Sequence, residues 1–323
     1  MSGKYEKEMQ IDNAIKKMLQ PMPSILTDYY YSLIGSGKSY ITAKAYVRNV
    51  IKFTQFMYGN ECPEKFYIDV TSNHINKYIA SLRTKTVGGK TERTSDNHKT
   101  QNWSSLNSFF QFLVPSKISA NPVAETQRPK MKDNPNVTYL DGDEIAKVLN
   151  NIEQNANHKM KNRDLSIFKL GFATGLRQSA IVQIDIDDLD LEHNQIKVTE
   201  KGDHDYYIMI GNNLKAQILL WLEDRKKYFS DVHSNALFVS QERKRISSRT
   251  MKDLTDKYTC NIDKHVTPHV MRHSCATNLY EKTGDIYLCA RQLNHKNVST
   301  TQRYAELSKE KQKKATGILD DMI

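Results

Sequence analysis

The stretch 127–136, QRPKMKDNPN, constrains this chain more than any other. It is polar, basic and broken by two prolines, and it has no apolar periodicity. Such a segment cannot run through a packed core, so it reads as a linker with a folded unit on each side. A length of 323 residues agrees with two domains, each large enough for its own core. The expected division is an N-terminal extension at 1–23, a helical domain at 24–126, a linker at 127–138 and a second domain at 139–323.

Charge separates the two parts as well. The whole chain carries 47 Lys+Arg against 37 Asp+Glu, a formal +10. Residues 1–138 hold 19 basic and 11 acidic residues, leaving +2 of the excess for 139–323. A polyanion, nucleic acid first, is the expected partner, with the basic part supplying the general grip. No run of about 18 apolar residues exists, which excludes a helical membrane span. The start, Met1-Ser2-Gly3-Lys4, has no apolar signal region, so a cytoplasmic location is expected. Cys62, Cys260, Cys275 and Cys289 show no C-x-x-C spacing and read as free thiols.

Apolar spacing in the first part is helical throughout. Between 40 and 59, Ala43, Tyr46, Val47, Val50, Phe53 and Met57 build one stripe. Lys44, Arg48 and Lys52 recur every four residues on another side, either a solvated face or a track for phosphates. A second long helix is predicted over 94–114 on Trp103, Leu106, Phe110 and Leu113, with shorter ones at 24–33 and 70–82. Gly88-Gly89 marks a turn before the long helix.

The second part is mixed. Helices are predicted at 163–174, 214–228 and 247–259. Alternation at 195–200 and 206–210 reads as a β-hairpin whose tip holds Lys201. Thr267-Pro268 is a strong helix start, Gly284 a stop, and Asp285 and Ser299 are caps for the next two helices.

Five groups in this part occur in a telling order. Ala173-Thr174-Gly175-Leu176-Arg177 comes first and Lys201 second. Thr267-Pro268-His269-Val270-Met271-Arg272-His273 is third, then Leu293-Asn294-His295 and Ser299-Thr300-Thr301-Gln302-Arg303-Tyr304. Together they resemble the tyrosine recombinase (integrase) family, of phage-integrase and Xer type, closely from 170 to 307. The resemblance implies an all-α, SAM-like core-binding domain followed by a mainly α catalytic domain with a small antiparallel sheet. It also implies a catalytic set of Arg177, Lys201, His269, Arg272, His295 and Tyr304.

The chemistry of these residues is coherent. His269 and Arg272 are three apart on a helix and share a face, and His269 lies in the first turn, where free N–H groups favour an anion. Arg177 and Arg272 can hold the two non-bridging oxygens of one phosphate. Tyr304 is the nucleophile and His269 the acceptor of its proton. His295 hydrogen-bonds the phosphate, and Lys201 protonates the departing 5′-oxygen. By analogy with the family, attack yields a 3′-phosphotyrosine bond that keeps the phosphodiester energy, so no metal, ATP or other cofactor is expected. Lys197 competes with Lys201, but from the middle of a strand. Where the family usually has a carboxylate three residues after the first Arg, this chain has Ala180.

The resulting expectation is a site-specific DNA recombinase whose two domains close as a clamp on duplex DNA bearing inverted-repeat core sites. Two protomers would occupy one site and a tetramer would form in synapsis, with or without an accessory DNA-bending protein. The task would be integration and excision of a mobile element, or resolution of a replicon. Charge spacing nominates Lys44, Arg48, Lys52, Lys99, Lys244 and Arg249 as DNA contacts. The tail Ile318-Leu319-Asp320-Asp321-Met322-Ile323 docks either on a neighbouring protomer or on its own domain. The rival readings are a type IB-like topoisomerase and a non-catalytic DNA-binding regulator, which Ala180 favours.

Overall fold

The structure is a computed structural model; it describes residues 2–87, 90–130, 137–200, 204–294 and 301. The chain divides into two compact units at Asp133/Asn134, inside the proline-broken stretch. Among the described residues, no helix is long and apolar enough to cross a membrane.

The first unit contains α1 (Ser2–Leu19), α2 (Ser24–Gly35), α3 (Tyr40–Tyr58), α4 (Ser72–Ser81) and α5 (Asp96–Leu113). Serine hydroxyls begin the two long helices: Ser39 accepts from the Thr42 N–H and Ser95 from the His98 N–H. The apolar stripes of α3 and α5 face each other. Val47, Val50, Phe53, Leu106, Phe109, Phe110 and Leu113 are fully buried, and aromatic rings fill the space between. Phe109 meets Tyr29 edge-on at 5.2 Å and stacks on Phe66 at 5.7 Å. Asn49 donates to Ser105 Oγ at 3.0 Å, and Tyr78 donates to Asn102 Oδ1 at 3.0 Å, so buried polar groups are paired.

Two features differ from the sequence expectation. Residues 1–23 are not merely an extension, because α1 buries Ile15 and Leu19 in this core. Nor is the unit wholly helical. An antiparallel hairpin of β1 (Thr84–Val87) and β2 (Lys90–Arg93) precedes α5, pairing Thr84 with Arg93 and Val87 with Lys90.

The second unit runs α6 (Gly142–Asn155), α7 (Lys161–Thr174), α8 (Gln178–Gln183), a 3₁₀ turn at Ile186–Asp188, β3 (Leu189–Asp190), β4 (Gln195–Glu200) and β5 (His204–Met209). It continues with α9 (Asn212–Tyr228), α10 (Ser248–Tyr258), α11 (Pro268–Thr283) and α12 (Ile286–Gln292). The three strands form one antiparallel sheet in the order β3-β4-β5, with register running from Gln195↔Met209 to Glu200↔His204. Ile196, Val198 and Ile208 bury the inner face of the sheet in the same core as α7, α9 and α11.

At the centre of this core lies α7, buried on several faces. Its first turn carries a buried ion pair: Arg163 Nε and Nη2 donate to Asp164 Oδ1 at 2.8 and 2.6 Å. Arg163 Nη1 donates to the Val239 carbonyl, and Tyr258 OH donates to Asp164 Oδ2 at 2.7 Å. This network ties the start of α7 to α10 and leaves the far end of the helix to present a sharp turn.

Candidate active site

Three chain segments meet at the C-terminal end of α7. The helix stops because Gly175 adopts the left-handed conformation (φ 64°) and donates its N–H to the Gly171 carbonyl. Leu176 is buried, and the half-buried Arg177 is the N-cap of α8 in extended geometry (φ −64°, ψ 144°). The left-handed turn fixes where the Arg177 backbone enters α8.

The second segment is α11. Thr267 precedes Pro268 at the first helical position, and Gly284 closes the helix in the left-handed conformation. Its two motif residues do different things. His269 is exposed, its ring stacked 6.5 Å from that of His273 one turn on. Arg272 is 5% exposed: Nη1 donates to the Gly175 carbonyl at 2.7 Å and Nη2 to the Leu293 carbonyl at 2.6 Å. The shared face expected from the spacing is therefore split, with the imidazole outside and the guanidinium beneath.

The third segment is α12. Asp285 caps it, accepting from the Tyr287 and Leu288 N–H groups. Leu293 ends it, and Asn294 turns the chain with a positive φ of 48°. Through Arg272, the turn before Arg177 is fastened to the helix end before His295. Neither Gly175 nor Leu293 was expected as a partner; carbonyl acceptors leave no mark in a sequence. Burial pushes the nearby Cys275 thiol up to about 12, with Arg272 pulling weakly the other way.

Lys201, His295 and Tyr304 lie outside the described residues, as do Ser299 and the tail from Ile318 to Ile323. The rival Lys197 is engaged: its Nζ is 2.8 Å from Asp205, which also accepts from Thr199 Oγ1 at 2.6 Å. Those contacts hold the Lys197 amine above and the Asp205 carboxyl below their ordinary ranges. Ala180 is buried in α8 at 4% exposure. Beside it, Gln178 hydrogen-bonds the Ser248 carbonyl and joins α8 to α10.

Among the nominated DNA contacts, Arg48 and Lys52 are exposed on α3 and Lys44 is half-buried there. Lys244 is exposed in the loop before α10, and the Arg249 side chain is 89% exposed. The Lys99 side chain is 16% exposed and sits 3.4 Å from Asp96 in the first turn of α5.

The sequence profile of the phage integrase family matches residues 138–311, just over half of the chain. The chain belongs to that family. Its members, the tyrosine recombinases, cleave and rejoin DNA, and this is a site-specific recombinase of Xer type. It is 28% identical to the tyrosine recombinase XerD of Oceanobacillus iheyensis, over 88% of this chain and 94% of that one. Tyrosine recombinase XerC of Psychromonas ingrahamii is 29% identical over 90% and 92%. The fold resembles that of XerH bound to its palindromic difH substrate, with a TM-score of 0.71 at 19% identity, covering 88% of this chain and 81% of that one. A λ integrase dimer bound to a COC′ core site gives 0.63 at 20% identity, over 86% and 96%. The recombinase thus has the family's fold, and Arg272 joins the Gly175 turn to the Leu293 end of α12.

Proposed function

We infer that this recombinase breaks one DNA strand at a time with Tyr304 as nucleophile. The observation that carries the reading is Arg272, whose guanidinium gathers the turn before Arg177 and the helix end before His295. Tyr304 attacks the scissile phosphorus and its phenolic proton passes to His269. Lys201 gives a proton to the departing 5′-oxygen, leaving a 3′-phosphotyrosine and a free 5′-hydroxyl. Arg177, Arg272 and His295 bind the charge that builds on the phosphate in the transition state. Attack by another strand's 5′-hydroxyl reverses every transfer, so the ends are rejoined with no net use of energy and no cofactor.

The partner is duplex DNA with inverted core sites, gripped in part by Lys44, Arg48 and Lys52. Two protomers per site and four in synapsis match the λ integrase forms solved as a dimer on a core site and as a tetramer on a Holliday junction. Similarity over nearly the full length of XerC and XerD supports a site-specific recombinase, and one task open to it is the resolution of a replicon. Integration and excision of a mobile element is the alternative task. Ala180 favours a second reading, a DNA-binding regulator without cleavage.

Covalent trapping separates these readings. Nicked duplexes selected for binding from a randomised pool are incubated with the protein and run on a denaturing gel. A protein–DNA adduct that is lost in Tyr304→Phe is expected. An adduct that persists in Tyr304→Phe removes Tyr304 as nucleophile, and no adduct with wild type favours the regulator.

A further inference from the structure

The end of α12 is fastened to the turn after α7 by main-chain and side-chain contacts together. Arg272 bridges the Gly175 and Leu293 carbonyls, and Gln292 Nε2 donates to the Ala173 carbonyl at 3.4 Å. The Leu293 side chain is 1% exposed and packs on the face of Gly175. A Cβ placed on Gly175 would stand 2.6 Å from Leu293 Cδ2, closer than real Cβ atoms approach, and 3.2 Å from Cys275 Sγ. Glycine is thus needed there for its positive φ and, independently, for the seat of Leu293. The rest of α12 is a slight anchor: a seven-residue helix that buries Cys289 and Ala290 and exposes Tyr287 and Leu288.

The catalytic reading places Arg177 two residues beyond Gly175 and His295 two residues beyond Leu293. The fit between Gly175 and Leu293 is therefore the gauge for where two groups meet one phosphate. Misplacement by about 1 Å can cost on the order of 100-fold in rate. We propose that Leu293 is a positioning residue for strand cleavage: seated on Gly175 and tied through its carbonyl to Arg272, it sets where the chain toward His295 leaves the core. This role rests on the reading of the protein as a strand-cleaving enzyme.

The test compares adduct formation with DNA affinity on the selected nicked duplexes. Leu293→Ala is expected to slow single-turnover adduct formation roughly 10- to 100-fold, with affinity within about twofold of wild type. Leu293→Met, which keeps the volume, restores the rate. Gly175→Ala also slows cleavage, and adding Leu293→Ala to it recovers part of the loss by clearing space for the new Cβ. If Leu293→Ala does not fold, Leu293→Ile carries the same comparison, with slower cleavage and unchanged affinity expected. Wild-type cleavage by folded Leu293→Ala, or by Leu293→Ile in its place, overturns the role. So does a rate that falls only in step with affinity, or a double variant no faster than Gly175→Ala. Wild-type protein that forms no adduct overturns the catalytic reading and this role together.

Discussion

Arg272 illustrates how much a single side chain does beyond its charge. The motif spacing nominates it as a phosphate ligand, while the fold makes it the clasp between two segments far apart in sequence. Asp164 plays a comparable part at the other end of α7, where it receives both Arg163 and Tyr258 at 2% exposure. Asp164→Ala leaves a buried guanidinium without its carboxylate, and about 3–5 kcal/mol of stability should be lost. Urea unfolding followed by circular dichroism measures it, and a midpoint near that of wild type would show the pair to be dispensable. Thiol chemistry probes the C-terminal end of α7. Cys275, held near 12 by burial, and buried Cys289 should stay unmodified by iodoacetamide at pH 8, while exposed Cys260 reacts. Peptide mass mapping after brief labelling reads the outcome; rapid modification of Cys275 would mean that α11 opens there.

Individual elements differ in how plainly the sequence announces them. The stripe from Ala43 to Met57 and its Ser39 cap make α3 legible, as Thr267-Pro268 and Gly284 do for α11. Two further helices carried usable signals that apolar counting passed over. Ile11, Ile15, Met18 and Leu19 are spaced for one face of α1. Asp141 and Glu144 form a capping box at the start of α6, each side chain accepting the other's N–H at 2.9 and 3.0 Å. The β1–β2 hairpin is different: Gly88-Gly89 marks a turn, but the flanking Thr- and Lys-rich residues have no apolar alternation to mark strands. On α3 the basic stripe makes its own prediction. Replacing Lys44, Arg48 and Lys52 by alanine should weaken binding to all DNA sequences alike. The slope of log K against log salt should fall by about 0.9 for each phosphate no longer neutralised. Binding measured at a series of salt concentrations tests this, and a loss of affinity confined to one base position would make the stripe a reader of bases.

For the whole molecule, each unit closes a core of its own, one aromatic and one built around α7. Fragments 1–133 and 134–323 should each unfold cooperatively in urea when made separately, and a gradual, non-cooperative transition in either would show that it borrows stability from the other. The second unit should also be sensitive to alkali. Burial raises the Cys275 thiol and, together with Asp164, raises the Tyr258 phenol. In the unfolded chain these groups deprotonate first, from about pH 9 and 10 respectively. The unfolded state then binds fewer protons, so stability falls as pH rises from about 9 toward 12. Urea midpoints for 134–323 at pH 8 and pH 10.5 should differ in that sense, and Cys275→Ala should reduce the dependence.

By itself the sequence determined the division at the prolines, the basic bias of the first unit and helices such as α3, α5, α9 and α11, and it nominated the catalytic set in its order. These depend on composition, local period and short spacings, which a linear string records. Only the tertiary structure decided that Arg272 is clasped by the Gly175 and Leu293 carbonyls, that Leu293 is seated on a glycine, and that Lys99 pairs with Asp96. It also enlisted α1 in the first core and paired Lys197 with Asp205. These outcomes turn on main-chain acceptors and on distances between segments that are remote in sequence. A backbone carbonyl is the same in every residue, so nothing in the string marks which one an arginine will find.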